Sequence, residues 1–176
     1  MSTLLDQKYD KLFGLLDFNG NGVITQQDFE HMADQILLTF GEARTSAKGQ
    51  ELVQEMTNYW HALRHVADAD GDGRVSGDEF RDAVHQVSDD FDTLVGPLYR
   101  ACFRLADRDD DGVVSRDEFI AAEVAVGVPA DAAGATFDRL TGQDGHLTMD
   151  ALVAAVAQYY RDDAASDGTH LFFGPL

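Results

Sequence analysis

The chain has 176 residues, of which 32 are acidic and 13 basic, so its formal net charge at pH 7 is −19. This charge argues against nucleic acid or an anionic membrane surface as a partner and favours bound cations or a basic partner. Hydrophobic residues make up 44% of the chain, as in a globular protein rather than an acidic disordered tail. Because the sequence has no signal-peptide-like start and no long apolar stretch, we expect a cytoplasmic protein without a membrane span.

A twelve-residue pattern occurs three times, in residues 17–28 (DFNGNGVITQQD), 68–79 (DADGDGRVSGDE) and 107–118 (DRDDDGVVSRDE). Positions 1, 3 and 5 are Asp or Asn, position 6 is Gly, position 8 is Ile or Val, and position 12 is acidic. Oxygen atoms at alternate positions can converge on a small ion, and the glycine permits the sharp turn that this requires. The pattern is typical of the EF-hand calcium loop, an oxygen cage for a hard cation.

The first predicted unit is a helix that ends in KLFGLLD, the loop 17–28 and a second helix beginning in FEHMADQILLTF. We call each such helix–loop–helix unit a hand. Its position-12 acid, Asp28, is one methylene shorter than Glu, which predicts weaker calcium binding or a tilt toward the smaller magnesium ion. The predicted ligands are Asp17, Asn19, Asn21, the carbonyl of Val23, and Asp28.

A polar break at residues 41–50 precedes the second hand. Apolar residues at helical spacing in ELVQEMTNYWHALRHVAD lead into the loop 68–79, and FRDAVHQV predicts the helix that follows. Four carboxylates in this loop favour tight calcium binding. The predicted ligands are Asp68, Asp70, Asp72, the carbonyl of Arg74, and Glu79.

The segment VGPLY, residues 95–99, separates the two halves of the chain. We predict that Gly96 ends one helix and that Pro97 lies in the first turn of the next. Residues 1–94 would then form an N-terminal pair of hands, and residues 95–176 a C-terminal pair. The third hand follows RACFRLAD, and its predicted ligands are Asp107, Asp109, Asp111, the carbonyl of Val113, and Glu118.

Residues 137–152 (FDRLTGQDGHLTMDAL) keep the frame of a fourth hand without its acids. Position 1 falls on Thr141, and one residue is deleted from the loop at about 141–151. We expect this loop to bind no ion and to be retained because Leu147 pairs with Val114. The predicted fold is therefore all-α, with four hands in two pairs that form one compact body and short β-bridges between paired loops.

The C-terminal segment THLFFGPL has four large apolar residues. Two interpretations stay open for this tail: it frays or makes weak self-contacts, or it folds back and plugs a cleft between the hands. The four residues are Leu171, Phe172, Phe173 and Leu176.

Four hands, one of them degenerate, with a long first interval and a short apolar C-terminus, resemble the sarcoplasmic calcium-binding proteins and their bacterial relative calerythrin. The resemblance implies one compact body and a role in calcium buffering or transport. The sequence departs from this family in two places: the silent hand is the fourth, whereas calerythrin loses its second, and Asp28 replaces the usual Glu. Ten arginines against three lysines are compatible with an actinobacterial member.

Two functions stay open. The first is a monomeric calcium buffer or store with three Ca²⁺ sites and no obligatory protein target; the second is a regulator whose loaded form binds a partner helix. The four methionines and eleven phenylalanines favour the buffer, since sensor grooves are often rich in methionine. No nucleophile–base pair indicates an enzyme. His61 and His65, one helical turn apart, have no third metal ligand at a convincing spacing.

Overall fold

The structure is a computed structural model that describes residues 4–142, 144–161 and 172–174. Helices dominate this part of the chain, and each of four strand-containing loops lies between two of them. The helices are α1 (Leu4–Leu16), α2 (Gln26–Phe40), α3 (Ala47–Ala67), α4 (Gly77–Asp89), α5 (Phe91–Leu94), α6 (Gly96–Ala106), α7 (Arg116–Ala125), α8 (Ala130–Thr141) and α9 (Met149–Arg161). The strands are β1 (Val23–Ile24), β2 (Val75–Ser76), β3 (Val113–Val114) and β4 (Leu147–Thr148).

Two short antiparallel strand pairs join the loops two by two. In the first, β1 pairs with β2 and places Ile24 opposite Val75. In the second, β3 pairs with β4 and places Val114 opposite Leu147. All four side chains are buried, so each bridge ties two loops to the core between them. The predicted all-α fold of four paired hands is confirmed, as is the pairing of Leu147 with Val114.

The polar break between the first two hands is shorter than predicted. Gly41 ends α2 in the left-handed conformation, with φ at 67°, and α3 begins at Ala47. The Ser46 side chain accepts a hydrogen bond from the backbone N–H of Gly49 at 3.0 Å. This cap starts the helix inside the polar segment, because it satisfies one N–H of the first turn. The prediction of a break over all of 41–50 was therefore too long.

The prediction that Gly96 ends a helix was wrong, because Gly96 is the first residue of α6. The chain passes from α5 into α6 through Val95, whose backbone is right-handed helical, so no left-handed glycine cap is needed there. Pro97 lies in the first turn of α6, as predicted. The boundary between the pairs at residues 94 and 95 stays a prediction.

The two pairs share one core. The ring of Phe91, at the end of the first pair, lies 5.5 Å from the ring of Tyr160 on α9. The hydroxyl groups of Tyr59 and Tyr160 are 3.1 Å apart, in hydrogen-bond contact across the same boundary. On the surface, the Lys48 ammonium donates to the carbonyl oxygen of Asp107 at 2.7 Å. These contacts unite the pairs into one compact body.

The described part of the tail lies inside this body. Phe172 is 1% exposed and Phe173 is 5% exposed. The ring of Phe172 meets Phe119 of α7 edge-on at 6.2 Å, and that of Phe173 meets Tyr159 of α9 at 5.0 Å. These two residues therefore fold back onto the third and fourth hands, as the plug interpretation expected. Leu171 and Leu176 lie outside the described residues.

Within the described ranges, no helix combines the length and apolar character needed to cross a membrane.

Candidate metal centre

The position-1 aspartates hold the first and third loops in a wrapped conformation. In the first loop, the Asp17 carboxylate accepts the backbone N–H groups of Asn21 at 3.0 Å and Gly22 at 2.7 Å. In the third loop, Asp107 accepts the equivalent N–H groups, from positions 5 and 6, at 3.1 and 3.0 Å. Because one carboxylate binds two successive N–H groups, it curls the chain around itself and directs neighbouring oxygens inward.

The glycine at position 6 is required by backbone geometry. Gly22, Gly73 and Gly112 have φ angles of 88°, 83° and 86°, a region that residues with a Cβ atom rarely adopt. The sharp turn predicted from the sequence is confirmed in all three loops.

The glutamate at position 12 links the end of the second loop to its beginning. Glu79 Oε2 accepts the N–H of Ser76 at 2.9 Å and its hydroxyl at 2.8 Å. Glu79 Oε1 accepts the N–H of Ala69, at position 2, at 3.1 Å. The hydrogen bonds from Ser76 lower the pKa of the Glu79 carboxyl, so the charged form of this side chain is favoured.

Glu118 plays the same part in the third loop. Its carboxylate accepts the N–H of Ser115 at 2.9 Å and the N–H of Arg108 at 3.2 Å. Burial acts to raise the pKa of Glu118, but the hydrogen bonds from Ser115 and Arg108 outweigh it, and the pKa is lowered. Both glutamates thus bridge the two ends of their loops and stay ionised at neutral pH.

The structure brings carboxylates together in the second and third loops. Asp68, Asp70 and Glu79 each offer an oxygen atom within 4.8 Å of the others. In the third loop, the carboxylates of Asp107, Asp109 and Asp111 form a group of the same kind, and Glu118 lies outside it. Three like charges at such distances repel one another, and a divalent cation between them would reverse the sign of the interaction. Oxygen-only donor sets of this kind suit Ca²⁺.

Two side-chain oxygens distinguish the second loop. Asp72 lies outside the group of three, and its Oδ1 accepts the N–H of Arg74 at 2.8 Å. Asp68 Oδ2 is paired with Arg64 at 3.1 Å, whereas Asp68 Oδ1 is buried and has no hydrogen-bond partner among the described residues. A buried carboxylate oxygen without a partner is costly, and a cation bound at this atom would remove the cost. The residues present therefore fit the ion.

The first loop is closed by its own side chains. Asp28 is fully buried; its Oδ1 accepts the Asn19 side-chain amide at 2.5 Å and the Asn19 backbone N–H at 3.1 Å. Its Oδ2 accepts the N–H and the hydroxyl of Thr25, both at 2.8 Å. The shorter aspartate thus meets position 3 of its loop, whereas Glu79 and Glu118 reach position 2. Sequence reasoning missed this contact, because the spacing of the pattern does not show which side chains pair.

The fourth loop has no comparable group of acids among its described residues. Thr141, at the expected position 1, donates its hydroxyl to the carbonyl of Phe137 at 2.9 Å within α8. Asp144 and Asp150 are both exposed. Residue 143 lies outside the described residues.

Other side chains with possible chemistry are placed differently. His61 and His65 are exposed on α3, where they face solvent. Burial and the charge of Glu123 raise the pKa of the Cys102 thiol to about 12, so this side chain stays protonated and unreactive. Sequence reasoning missed Glu123 itself, which is 8% exposed in the centre of the molecule. The available signal was one acid within the apolar run IAAEVAV.

Paired helix–loop–helix units with acidic twelve-residue loops define the EF-hand class of proteins. A family model described as an EF-hand domain pair matches residues 35–122, half of the chain, and the chain belongs to the EF-hand family. Calerythrin from Saccharopolyspora erythraea is 27% identical over 165 residues, which cover 90% of this chain and 93% of calerythrin.

Two solved structures extend the comparison. A Streptomyces coelicolor calcium-binding protein, described in connection with prokaryotic calcium-mediated regulation, is 34% identical with a TM-score of 0.81, covering 89% of this chain and 97% of that one. A sarcoplasmic calcium-binding protein from amphioxus has a TM-score of 0.75 at 19% identity, covering 98% and 97% of the two chains, which shows the shared fold alone. The chain is an EF-hand protein of the calerythrin and sarcoplasmic calcium-binding protein type.

Proposed function

We propose that this protein is a cytoplasmic calcium buffer that binds three Ca²⁺ ions as a monomer, leaves its fourth loop empty and has no catalytic activity. The observation that carries the proposal is the closed core. The apolar faces of the hands meet one another, and Phe172 and Phe173 are buried between them. A calcium sensor must expose an apolar groove when it loads, and the burial of Phe172 and Phe173 in the core opposes such an opening.

The three proposed sites differ in their ligands. The second and third loops contribute four carboxylates each, which favours tight calcium binding. In the second loop these are Asp68, Asp70, Asp72 and Glu79, with the carbonyl of Arg74; in the third loop they are Asp107, Asp109, Asp111 and Glu118, with the carbonyl of Val113.

We assign the first loop the weakest calcium site. Its proposed ligands are Asp17, Asn19, Asn21, the carbonyl of Val23, and Asp28. Before Asp28 can bind a cation, the hydrogen bond from the Asn19 amide to Asp28 must break and the amide must turn its oxygen inward. This cost and the shorter acid support weak calcium binding, with competition from the smaller Mg²⁺.

A regulator is the second candidate function. The Streptomyces coelicolor protein, 34% identical to this chain, is associated with calcium-mediated regulation. In that case the loaded protein would release apolar surface to bind a partner helix, and Phe172 and Phe173 would have to leave the core.

The test is the fluorescence of a hydrophobic-surface dye during a calcium titration of the full chain in millimolar magnesium. A buffer is expected to give a flat or falling signal, and a rise at the calcium concentration that fills the tight sites would establish the regulator instead. The double variant Glu79→Gln/Glu118→Gln is the control for calcium-independent dye binding. Deletion of residues 170–176 is the positive control, because it uncovers the surface under Phe172 and Phe173.

A further inference from the structure

A cavity of about 100 Å³ lies at the centre of the molecule, where all four hands meet. Helices α1, α2, α3, α6, α7 and α9 contribute its walls, which are mainly Leu, Met, Ile, Val and Phe side chains. Phe173 of the tail also lines it. One water molecule needs a cavity of only about 10–15 Å³. The space in this protein is several times larger and can hold a small organic molecule.

One carboxyl group faces this apolar space. Glu123 on α7 lines the cavity and is 8% exposed. Its Oε2 atom is buried without a hydrogen-bond partner in the part of the chain that the structure describes. Glu123 lies five residues beyond Glu118, outside all three calcium loops, so calcium binding gives this carboxyl no role.

Among the described residues, no Lys, Arg or His lines the cavity beside Glu123. The other polar side chains that line the cavity are the Cys102 thiol and the hydroxyl groups of Tyr59 and Tyr99. Burial first, then Tyr59 and Glu123, raise the pKa of Tyr99. Burial raises the pKa of Glu123 to about 8, so the group is mainly a neutral carboxylic acid at pH 7. A neutral carboxylic acid offers one O–H donor and one carbonyl acceptor.

The apolar cavity and the unpartnered oxygen of Glu123 each cost free energy, and they lie at the same place in the molecule. An apolar cavity forgoes the packing contacts that would otherwise fill it. A buried polar atom without a partner forgoes its hydrogen bond. A single ligand with an apolar body and one polar group would remove both costs together, whereas water would satisfy the carboxyl and leave the apolar walls unpacked.

We propose that this cavity binds a compact, neutral apolar molecule with one hydroxyl group, which hydrogen-bonds to the carboxyl of Glu123. A hydroxyl matches this partner because it donates and accepts at once. An ammonium group fits less well, because it would have to lose its hydration in a space whose other walls are apolar. This site is separate from the proposed calcium function and does not depend on it.

Phenol and toluene form the matched pair of probes, since they differ only by hydroxyl against methyl. Calorimetry and NMR would measure their binding to the full calcium-loaded chain. We expect phenol to bind at one site and to shift the signals of cavity-lining methyl groups. In Glu123→Leu, the affinity ratio of phenol to toluene should fall by about tenfold, whereas Glu123→Gln should keep most of the preference because its amide still donates and accepts.

Ala122→Leu provides a variant that leaves Glu123 in place and fills part of the cavity. It should weaken the binding of both probes. The proposal is overturned if phenol at millimolar concentration does not bind the wild-type chain, or if its signals shift away from the cavity. An unchanged phenol-to-toluene ratio in Glu123→Leu would overturn the role of Glu123. Tighter binding of benzylamine than of phenol, with release of a proton, would overturn the assignment to a neutral hydroxyl compound.

Discussion

Lys8 and Tyr159 exchange hydrogen bonds across the first and last helices of the fold. The Tyr159 hydroxyl donates to the carbonyl oxygen of Lys8 at 3.1 Å, and the Lys8 ammonium donates to the carbonyl oxygen of Tyr159 at 3.4 Å. Lys8 is fully buried, and its ammonium lies 5.2 Å from the centre of the Tyr159 ring. The cation sits near the C-terminal end of α9, where the helix dipole favours positive charge. This exchange closes the N-terminal hand onto the C-terminal one.

The Tyr159→Phe variant tests this closure. It keeps the ring that contacts Lys8 and Phe173 but removes the hydroxyl donor, so the buried carbonyl of Lys8 loses a partner. We expect the free energy of unfolding to fall by about 1–2 kcal/mol. Urea denaturation at saturating calcium measures it. Lys11→Met, a change at a half-buried lysine on the same helix, is the control and should cost less; an equal loss in both variants would contradict the closure.

The burial of Phe172 predicts a large difference between two substitutions of apolar side chains by alanine. Phe172→Ala removes a ring that is 1% exposed and should lower the free energy of unfolding by about 3–4 kcal/mol. Leu38→Ala removes a side chain that is 74% exposed and should change it by less than about 0.5 kcal/mol. Thermal unfolding of both variants at saturating calcium checks the difference. Similar stabilities would show that the tail contributes nothing to the core.

The three proposed calcium sites should respond unequally to the loss of the position-12 charge. Glu79→Gln and Glu118→Gln each remove one tight site, because a neutral amide replaces a carboxylate ligand, and we expect the affinity of that site to fall by about 100-fold or more. Asp28→Asn should remove only a weak site. Calorimetry should therefore count one fewer tight ion in each glutamate variant and an unchanged number in Asp28→Asn. Equal affinity losses in all three variants would contradict the ranking.

The buried carboxyl of Glu123 predicts a pH dependence of stability. Its pKa is raised by burial from 4.5 to about 8, so the folded state holds this proton between those values while the unfolded state has released it. The contribution of Glu123 to the free energy of unfolding is therefore highest below about pH 4.5, and it declines as the pH rises toward 8. Glu123→Gln removes the decline and should stabilise the protein at pH 7 by on the order of 2–3 kcal/mol. Denaturation of the wild-type chain and of Glu123→Gln between about pH 6 and 8.5, at saturating calcium, measures how the free energy of unfolding of each protein depends on pH. The same pH dependence in both proteins would contradict the assignment of the raised pKa to Glu123.

Two glycines with equally open surroundings should respond in opposite directions to alanine. A Cβ atom added at Gly14 or at Gly112 would meet nothing within 4 Å. Gly14 lies inside α1, so Gly14→Ala should stabilise the protein by about 0.5–1 kcal/mol. Gly112 has a φ of 86°, so Gly112→Ala should destabilise it by about 1–2 kcal/mol and weaken calcium binding in the third loop. Urea denaturation and calorimetry distinguish the two, and a stabilising Gly112→Ala would contradict the backbone argument.

The sequence by itself determined the hands. The spacing of acids, the glycine at position 6 and the apolar residue at position 8 are local features, and the backbone of a twelve-residue loop follows from them. The wrapped conformation around Asp17 and Asp107 and the positive φ of the three glycines could be predicted for this reason. The pairing of Val114 with Leu147 joins two loops, and it could be predicted because EF-hands occur in pairs whose loops meet at position 8. The degenerate fourth hand could also be predicted from the sequence, because its apolar residues keep the spacing of a hand although its acids are missing.

The tertiary structure decided what depends on residues far apart in the chain. The exchange between Lys8 and Tyr159, the burial of Phe172 against Phe119, and the isolation of Glu123 in a central cavity each join elements that no local pattern relates. The pairing of Asp28 with Asn19 lies between these two classes. The sequence shows that position 12 has the shorter acid, but the partner of this acid depends on where the backbone of the loop places it. Local patterns encode local backbone conformation, whereas contacts across the core are settled by how all the helices pack at once.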